Sequence, residues 1–267
     1  MMARGVAAVL VGSSLLIGCG SQTGGTKAGG VHDSTSATQA PSGGDPSTDN
    51  GAGLVLRWRM TGGIAGLGGA FTVPEFSLYP DGTAIVPGDR AKGRLKRYHL
   101  KPQAARALFD EATAAGLAQP RKIGPHGQIA DAMTLVMWLG KARTEIVQPE
   151  AQSVPATRLW NKLHPEQWKQ SDQQSPPDTY VPERYAVSAL GTGEHASSST
   201  PAWPLAPLTK GKQVGGGLCT VYSGGDAARV RGLAEKAPVG QFTSGGQVYS
   251  VRYRPLLPDE KSCDDLA

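Results

Sequence analysis

The sequence predicts an α+β fold: antiparallel, hairpin-built sheets with a few helices, placed after a signal peptide and a disordered tether. Three observations lead there. The 267 residues include 36 glycines and 20 prolines, well above the usual combined share of about 12%, which excludes a helical bundle or coiled coil. Apolar residues alternate over short segments separated by turn residues, the signature of half-buried strands. Strands follow one another in hairpins with few helices between them, which favours antiparallel sheet over a doubly wound parallel one.

The N-terminus carries one positive charge at Arg4 and then an apolar or small run, Val6–Ile17. That run is too short for a permanent membrane span and fits the h-region of a secretory signal peptide over residues 1–18. Leu16-Ile17-Gly18-Cys19 matches the lipobox of bacterial lipoproteins. The match implies diacylglyceryl transfer to the Cys19 thiol and cleavage after Gly18, and two acyl chains give stable anchoring. Residues 19–53 follow as a lipid-anchored Gly/Ser/Thr linker. Gly20–Gly53 holds 9 Gly, 5 Ser and 5 Thr with Val31 as its one large apolar residue, too little apolar surface to offset the entropy of ordering. As a flexible coil it spans about 30 Å. Asp45–Leu56 resembles a calcium loop only faintly: its glycine falls one place late, and Leu56 stands where a bidentate Glu belongs.

Past the tether, Leu54–Met60 alternates, with Leu54, Leu56, Trp58 and Met60 on one face: a half-buried strand. Glu75–Val86 is a hairpin around Pro80-Asp81-Gly82, and Leu95–Leu100 a third strand. Lys101–Leu117 reads as the best helix, with Ala105, Leu108, Phe109 and Ala112 at helical spacing, Pro102 in the first turn and a Schellman stop at Gly116-Leu117. Met133–Leu139 and Ala142–Val147 form a hairpin around Gly140-Lys141, and Pro155–Leu163 a short helix. Residues 54–164 then make an N-terminal α+β lobe, and the polar, proline-bearing stretch 165–179 a linker. Residues 180–267 make a C-terminal α+β lobe: a strand in Tyr180–Leu190, a loop over Gly191–Pro201, strand Leu218–Tyr222, helix Asp226–Ala237, and a hairpin of strands around Phe242 and Val248–Arg254. Asp226 reads as the helix N-cap.

Without Arg4, Lys27, Asp33, Asp45 and Asp49, the folded part keeps 25 basic and 19 acidic residues, a balance of +6 that suits anionic headgroups or wall polymers. With Cys19 acylated, Cys219 and Cys263 remain, an even number in an oxidising compartment, and a structural disulfide between them is expected.

Strings that would announce chemistry are missing. Outside the signal peptide there is no Gly-x-Ser-x-Gly and no His-Glu-x-x-His. The five histidines are scattered singly, and His164-Pro165-Glu166 lacks the Pro-Cys-x-x-Cys partner of a zinc deaminase. Gly62–Gly69 runs toward a strand rather than a helix N-terminus and reads as a mobile surface loop, not a phosphate cradle. Asp131 stands among apolar neighbours without a local explanation; it is expected to be a buried, hydrogen-bonded loop residue, with a catalytic carboxylate as the alternative. No catalytic, cofactor-binding or metal-binding residue is assigned, and no cofactor.

Arg90, Lys92, Arg94, Lys96, Arg97 and Lys101 put six basic side chains in twelve positions. The plain reading is a solvated edge strand guarded by its charges; the functional one is a landing strip for an anionic polymer or headgroups.

The hairpin Pro74-Glu75-Phe76-Ser77-Leu78-Tyr79-x-Asp81-Gly82-Thr83, the segment Ile129–Thr134, Trp203-Pro204, the Leu218-Cys219 strand and Arg254-Pro255-Leu256-Leu257-Pro258-Asp259-Glu260-x-x-Cys263 occur in an order that resembles uncharacterised secreted lipoproteins of actinobacteria. The resemblance implies a lipid anchor and a Cys219–Cys263 pair but no activity. The function expected from the sequence is therefore a binding or scaffold module anchored on the extracytoplasmic face of the cell membrane. Its partners would be the membrane through Cys19 and an anionic cell-wall polymer or another envelope protein, not nucleic acid. The alternative is an exported hydrolase with Asp131 in its site.

Overall fold

The computed structural model describes residues 53–63, 68–89, 92–125 and 131–266. The signal peptide, the lipobox with Cys19, the tether through residue 52, and Arg90 lie outside the described residues. The described residues form one compact unit, an α+β arrangement of two sheets built from hairpins.

The strand β1 (Leu56–Gly62) sits inside the first sheet, flanked by β2 (Phe76–Leu78) and β6 (Met133–Leu139). β2 continues into β3 (Thr83–Pro87) through Pro80-Asp81-Gly82, and β3 pairs with β4 (Leu95–Leu100). Gly82 is required at that turn: its φ is +81°, and a Cβ there would lie 2.5 Å from the Leu100 carbonyl oxygen. The helix α1 (Pro102–Ala114) ends as its sequence foretells, with Gly116 N–H donating to Thr113 and Leu117 N–H to Ala112. The short β5 (Arg121–Ile123) pairs in parallel with β7 (Ala142–Val147), and β7 pairs back on β6 around Gly140-Lys141. The helix α2 (Pro155–Trp160) packs beside α1.

The stretch 165–179, expected to be a linker, instead supplies most of β8 (Gln173–Tyr180), which pairs with β4 and closes the eight-stranded order β5-β7-β6-β1-β2-β3-β4-β8. Pro176 and Pro177 hid it. Two prolines are tolerated because β8 is an outer strand, and the ladder shifts register between Arg97 and His99 where they stand. As a result β4 is an interior strand, not the edge strand its charges suggested.

The second sheet is antiparallel, in the order β10-β11-β9-β13-β12. Its strands are β9 (Arg184–His195), β10 (Lys212–Val214), β11 (Gly217–Ser223), β12 (Val239–Ser244) and β13 (Gln247–Pro255), with α3 (Gly224–Lys236) between β11 and β12. The strand β9 runs through Gly191–His195, where a loop was expected. The N-cap of α3 is Ser223, and Asp226 lies in the first turn, where its charge still favours the helix dipole.

Each sheet has an apolar face covered by helix. On the first, Leu56, Trp58, Phe76, Leu135 and Met137 pack with Ala112 and Leu117 from α1 and its stop, and with Leu159 of α2. On the second, Tyr185, Val187, Trp203 and Val251 pack against Ala227 and Val230 of α3. The opposite face of β1 was expected to meet solvent. It does not: Arg57 and Arg59 are 9% and 8% exposed.

Candidate functional site: a cleft beside a buried arginine joint

Antiparallel register puts Arg57 directly opposite Ser77, on the same face as Tyr79 two residues on. Arg57 Nε donates to Ser77 Oγ at 2.8 Å, and its Nη2 to Asp259 at 2.8 Å; the Tyr79 hydroxyl donates to the same Asp259 oxygen at 2.7 Å. Asp259 comes from the segment after β13, 202 residues away in sequence. Beside it Arg254 Nη2 donates to Glu260 at 2.8 Å, and the other Glu260 oxygen accepts from Leu257 N–H at 2.9 Å. These side chains of Arg254 and Glu260 are 1% and 2% exposed.

Burial opposes the charge on Arg57, but the Asp259 carboxylate, with lesser contributions from Tyr79 and Glu260, more than restores it. Burial raises the Tyr79 hydroxyl far above the ordinary range. Arg59 is held below its usual value by burial first and by Arg254 second. Arg59 Nε and Arg254 Nε and Nη1 have no hydrogen-bond partner among the described residues, so the joint carries a desolvation cost alongside its ion pairs.

Arg59 does one thing more. Its Nη2 donates to the Thr72 carbonyl at 2.7 Å and to the Gly69 carbonyl at 3.3 Å, pinning the segment that leads from β1 to β2. Ala70 and Phe71 of that segment rest on the second sheet near Ala186 and Cys219. Next to them opens a cavity of about 430 Å³. Its floor is a tile of four residues set by register: Leu190 opposite Ser250, and Ser188 opposite Arg252. The pinned segment is one wall; Val214, Gly215 and Gly217 of the β10–β11 turn are the other. Leu190 is 54% exposed, and among the described residues no carboxylate lies within ion-pair distance of Arg252. The cavity thus combines apolar walls with the hydroxyl-bearing residues Thr72, Ser188 and Ser250 and one open guanidinium, the usual make-up of a small-molecule site.

Cys219 and Cys263 are joined in a disulfide, as expected, which ties the C-terminal turn to β11. The basic residues do not share one face. Lys96 lies over the Tyr98 ring on the helix-covered side; Arg97 is taken up by Asp178 in two hydrogen bonds of 2.9 and 2.8 Å; Lys101 is the exposed N-cap of α1. Lys92 and Arg94 turn elsewhere, into a smaller groove of about 280 Å³ shared with Tyr185 and Arg231, where burial lifts the Tyr185 hydroxyl to about 12.

Asp131 is exposed rather than buried, at a left-handed φ of 65°, and adjoins residues outside the described ones. His164 packs edge-on to Trp58 with ring centres 5.9 Å apart. No group of His, Cys, Asp and Glu among the described residues is arranged to hold a metal ion. No helix among them is long and apolar enough to cross a membrane.

The cleft residues Ser188, Ser250 and Arg252 were not singled out from the sequence. Alternation placed them on one side of their strands, but only the pairing of β9 with β13 makes them neighbours. Fold and site together define an α+β protein of two sheets clamped through a buried ionic joint, with a ligand-sized cleft beside it. Comparison with protein-family models, with curated proteins and with solved structures finds no match to this chain.

Proposed function

We propose that this chain is a lipid-anchored binding module of the extracytoplasmic membrane face, attached through acylated Cys19 and carried by the Gly/Ser/Thr-rich stretch 19–53, with the cleft over Ser188, Leu190, Ser250 and Arg252 as its ligand site. The observation that carries the reading is the order of parts: a lipobox at Leu16–Cys19, a polar tether, then one compact unit. The disulfide supports it, because such bonds persist in oxidising compartments. The ionic joint supports a rigid recognition surface, since it fixes one wall of the cleft from the other sheet. Fatty-acid labelling of exported protein tests the anchor. Wild type should incorporate label and sediment with membranes, and Cys19→Ala should do neither; label retained in Cys19→Ala overturns the reading.

A further inference from the structure

The geometry of the cleft points to its ligand class: we infer that it takes a small amphipathic monoanion, a carboxylate on an apolar chain, with the carboxylate on Arg252, Ser188 and Ser250. This rests on the reading of the cleft as the ligand site. The four floor residues alternate in character across the strand pair. Ser188 and Arg252 face each other, and one step along the strands Leu190 faces Ser250. A carboxylate above the Ser188–Arg252 pair meets a planar donor fork and a hydroxyl. An apolar chain running on from it meets Leu190, whose 54% exposure is otherwise unexplained, and the ring of Phe71 and side chain of Val214 on the walls.

Charge selects the sign. Arg254, two residues from Arg252 on the same strand face, is neutralised by Glu260, and Arg59 behind the wall donates to backbone carbonyls. Arg252 is therefore left as the one open charge at the cleft among the described residues lining it. One guanidinium calls for one negative charge. A polyanion would need more cations than the cleft offers, and a cation would be repelled. The glycines of the β10–β11 turn keep that wall low: Gly215 has nothing within 4 Å of its Cβ position, which leaves room for a chain to leave toward solvent.

The test uses the full chain carrying Cys19→Ser and three probes of equal chain length: octanoate, octan-1-ol and octyltrimethylammonium, each titrated calorimetrically. Octanoate should bind at least about tenfold more tightly than octan-1-ol, and octyltrimethylammonium should not bind. Arg252→Gln should weaken octanoate about tenfold and leave octan-1-ol unchanged, while Arg252→Lys should retain part of the binding. Ser188→Ala with Ser250→Ala should weaken octanoate several-fold. Leu190→Asp should weaken both octanoate and octan-1-ol, octanoate the more because the new carboxylate also faces the anion. These residues are surface-accessible, so unchanged thermal unfolding of each variant is the control. Equal affinity for octanoate and octan-1-ol, both lost in Leu190→Asp, would overturn the anion assignment while leaving the cleft a ligand site. Octanoate binding indifferent to Arg252→Gln and Leu190→Asp would place it elsewhere and overturn the inference, as would no binding of any probe. None of these results alters the fatty-acid labelling that decides the anchor.

Discussion

The two faces of β1 solve the same problem by opposite means. On one face Leu56 and Trp58 meet helices, and burial stabilises by removing apolar surface from water, with no demand on direction. On the other, Arg57 meets the Asp259 carboxylate from a distant segment, and Arg59 meets carbonyls of the segment that follows β1. Burying guanidinium groups costs several kcal/mol each before pairing, so this face holds only with partners in place. The apolar face therefore loses stability in step with the surface and packing it gives up, whereas the ionic face fails when a single partner is removed. What the ionic face contributes in return is direction: Arg57 fixes the C-terminal segment to β1 and β2, and Arg59 fixes the wall of the cleft.

That contrast can be broken most sharply at Glu260. Glu260→Gln leaves Arg254 charged at 1% exposure and is expected to destabilise by about 3–5 kcal/mol, read by urea unfolding, whereas Arg254→Met with Glu260→Leu should lose far less. A double variant as unstable as the single one would mean the ion pair itself is the stabilising element. Reducing the Cys219–Cys263 disulfide opens a loop with a sequence separation of 44 and should cost about 2–4 kcal/mol, measured as the denaturation midpoint with and without reductant. On the apolar face Met137→Ala should cost about 2–5 kcal/mol, the range set by how far the neighbours collapse.

The smallest effect belongs to the surface pair Arg97–Asp178. Hydrogen bonding from Arg97 holds the Asp178 carboxyl below its ordinary 3.8. A depressed carboxylate contributes stability above the unfolded-state value and loses it as pH falls through the lower folded-state value. Asp178→Asn should remove less than about 1 kcal/mol near neutral pH, and its difference from wild type should shrink as pH falls below 3.8 and vanish once pH is below the lower folded-state value. A loss as large as that of Glu260→Gln would erase the distinction between exposed and buried pairs.

Local signals were legible in the sequence. The hairpins around Asp81-Gly82 and Gly140-Lys141, the Schellman stop at Gly116 and the helix-facing residues of β1 all follow from side chains within a few positions of one another. The cysteine count foretold the disulfide. The ionic face was not legible, because alternation tells which residues share a side but not what covers that side, and Asp259 arrives from 202 residues away. The same holds for Ser188 and Arg252, made neighbours by strand pairing over a separation of 64 residues. β8 was hidden by its composition, since Pro176 and Pro177 suit a linker as well as they suit an outer strand. The eighth strand also changes the reading of the basic run: β4 is interior, and the two basic residues of the run that lie on it, Lys96 and Arg97, point to opposite faces by strand alternation.

The claim on which the rest depends is that the second face of β1 is held by coupled charges rather than by packing alone. A double-mutant cycle on Arg57→Met and Asp259→Leu, read by equilibrium urea unfolding, tests it directly. The two groups lie 2.8 Å apart with side chains 11% and 20% exposed. The account predicts that each single variant is strongly destabilised and that the double is markedly less so than their sum, with a coupling energy of about 1.5 kcal/mol or more. Strictly additive losses would contradict it.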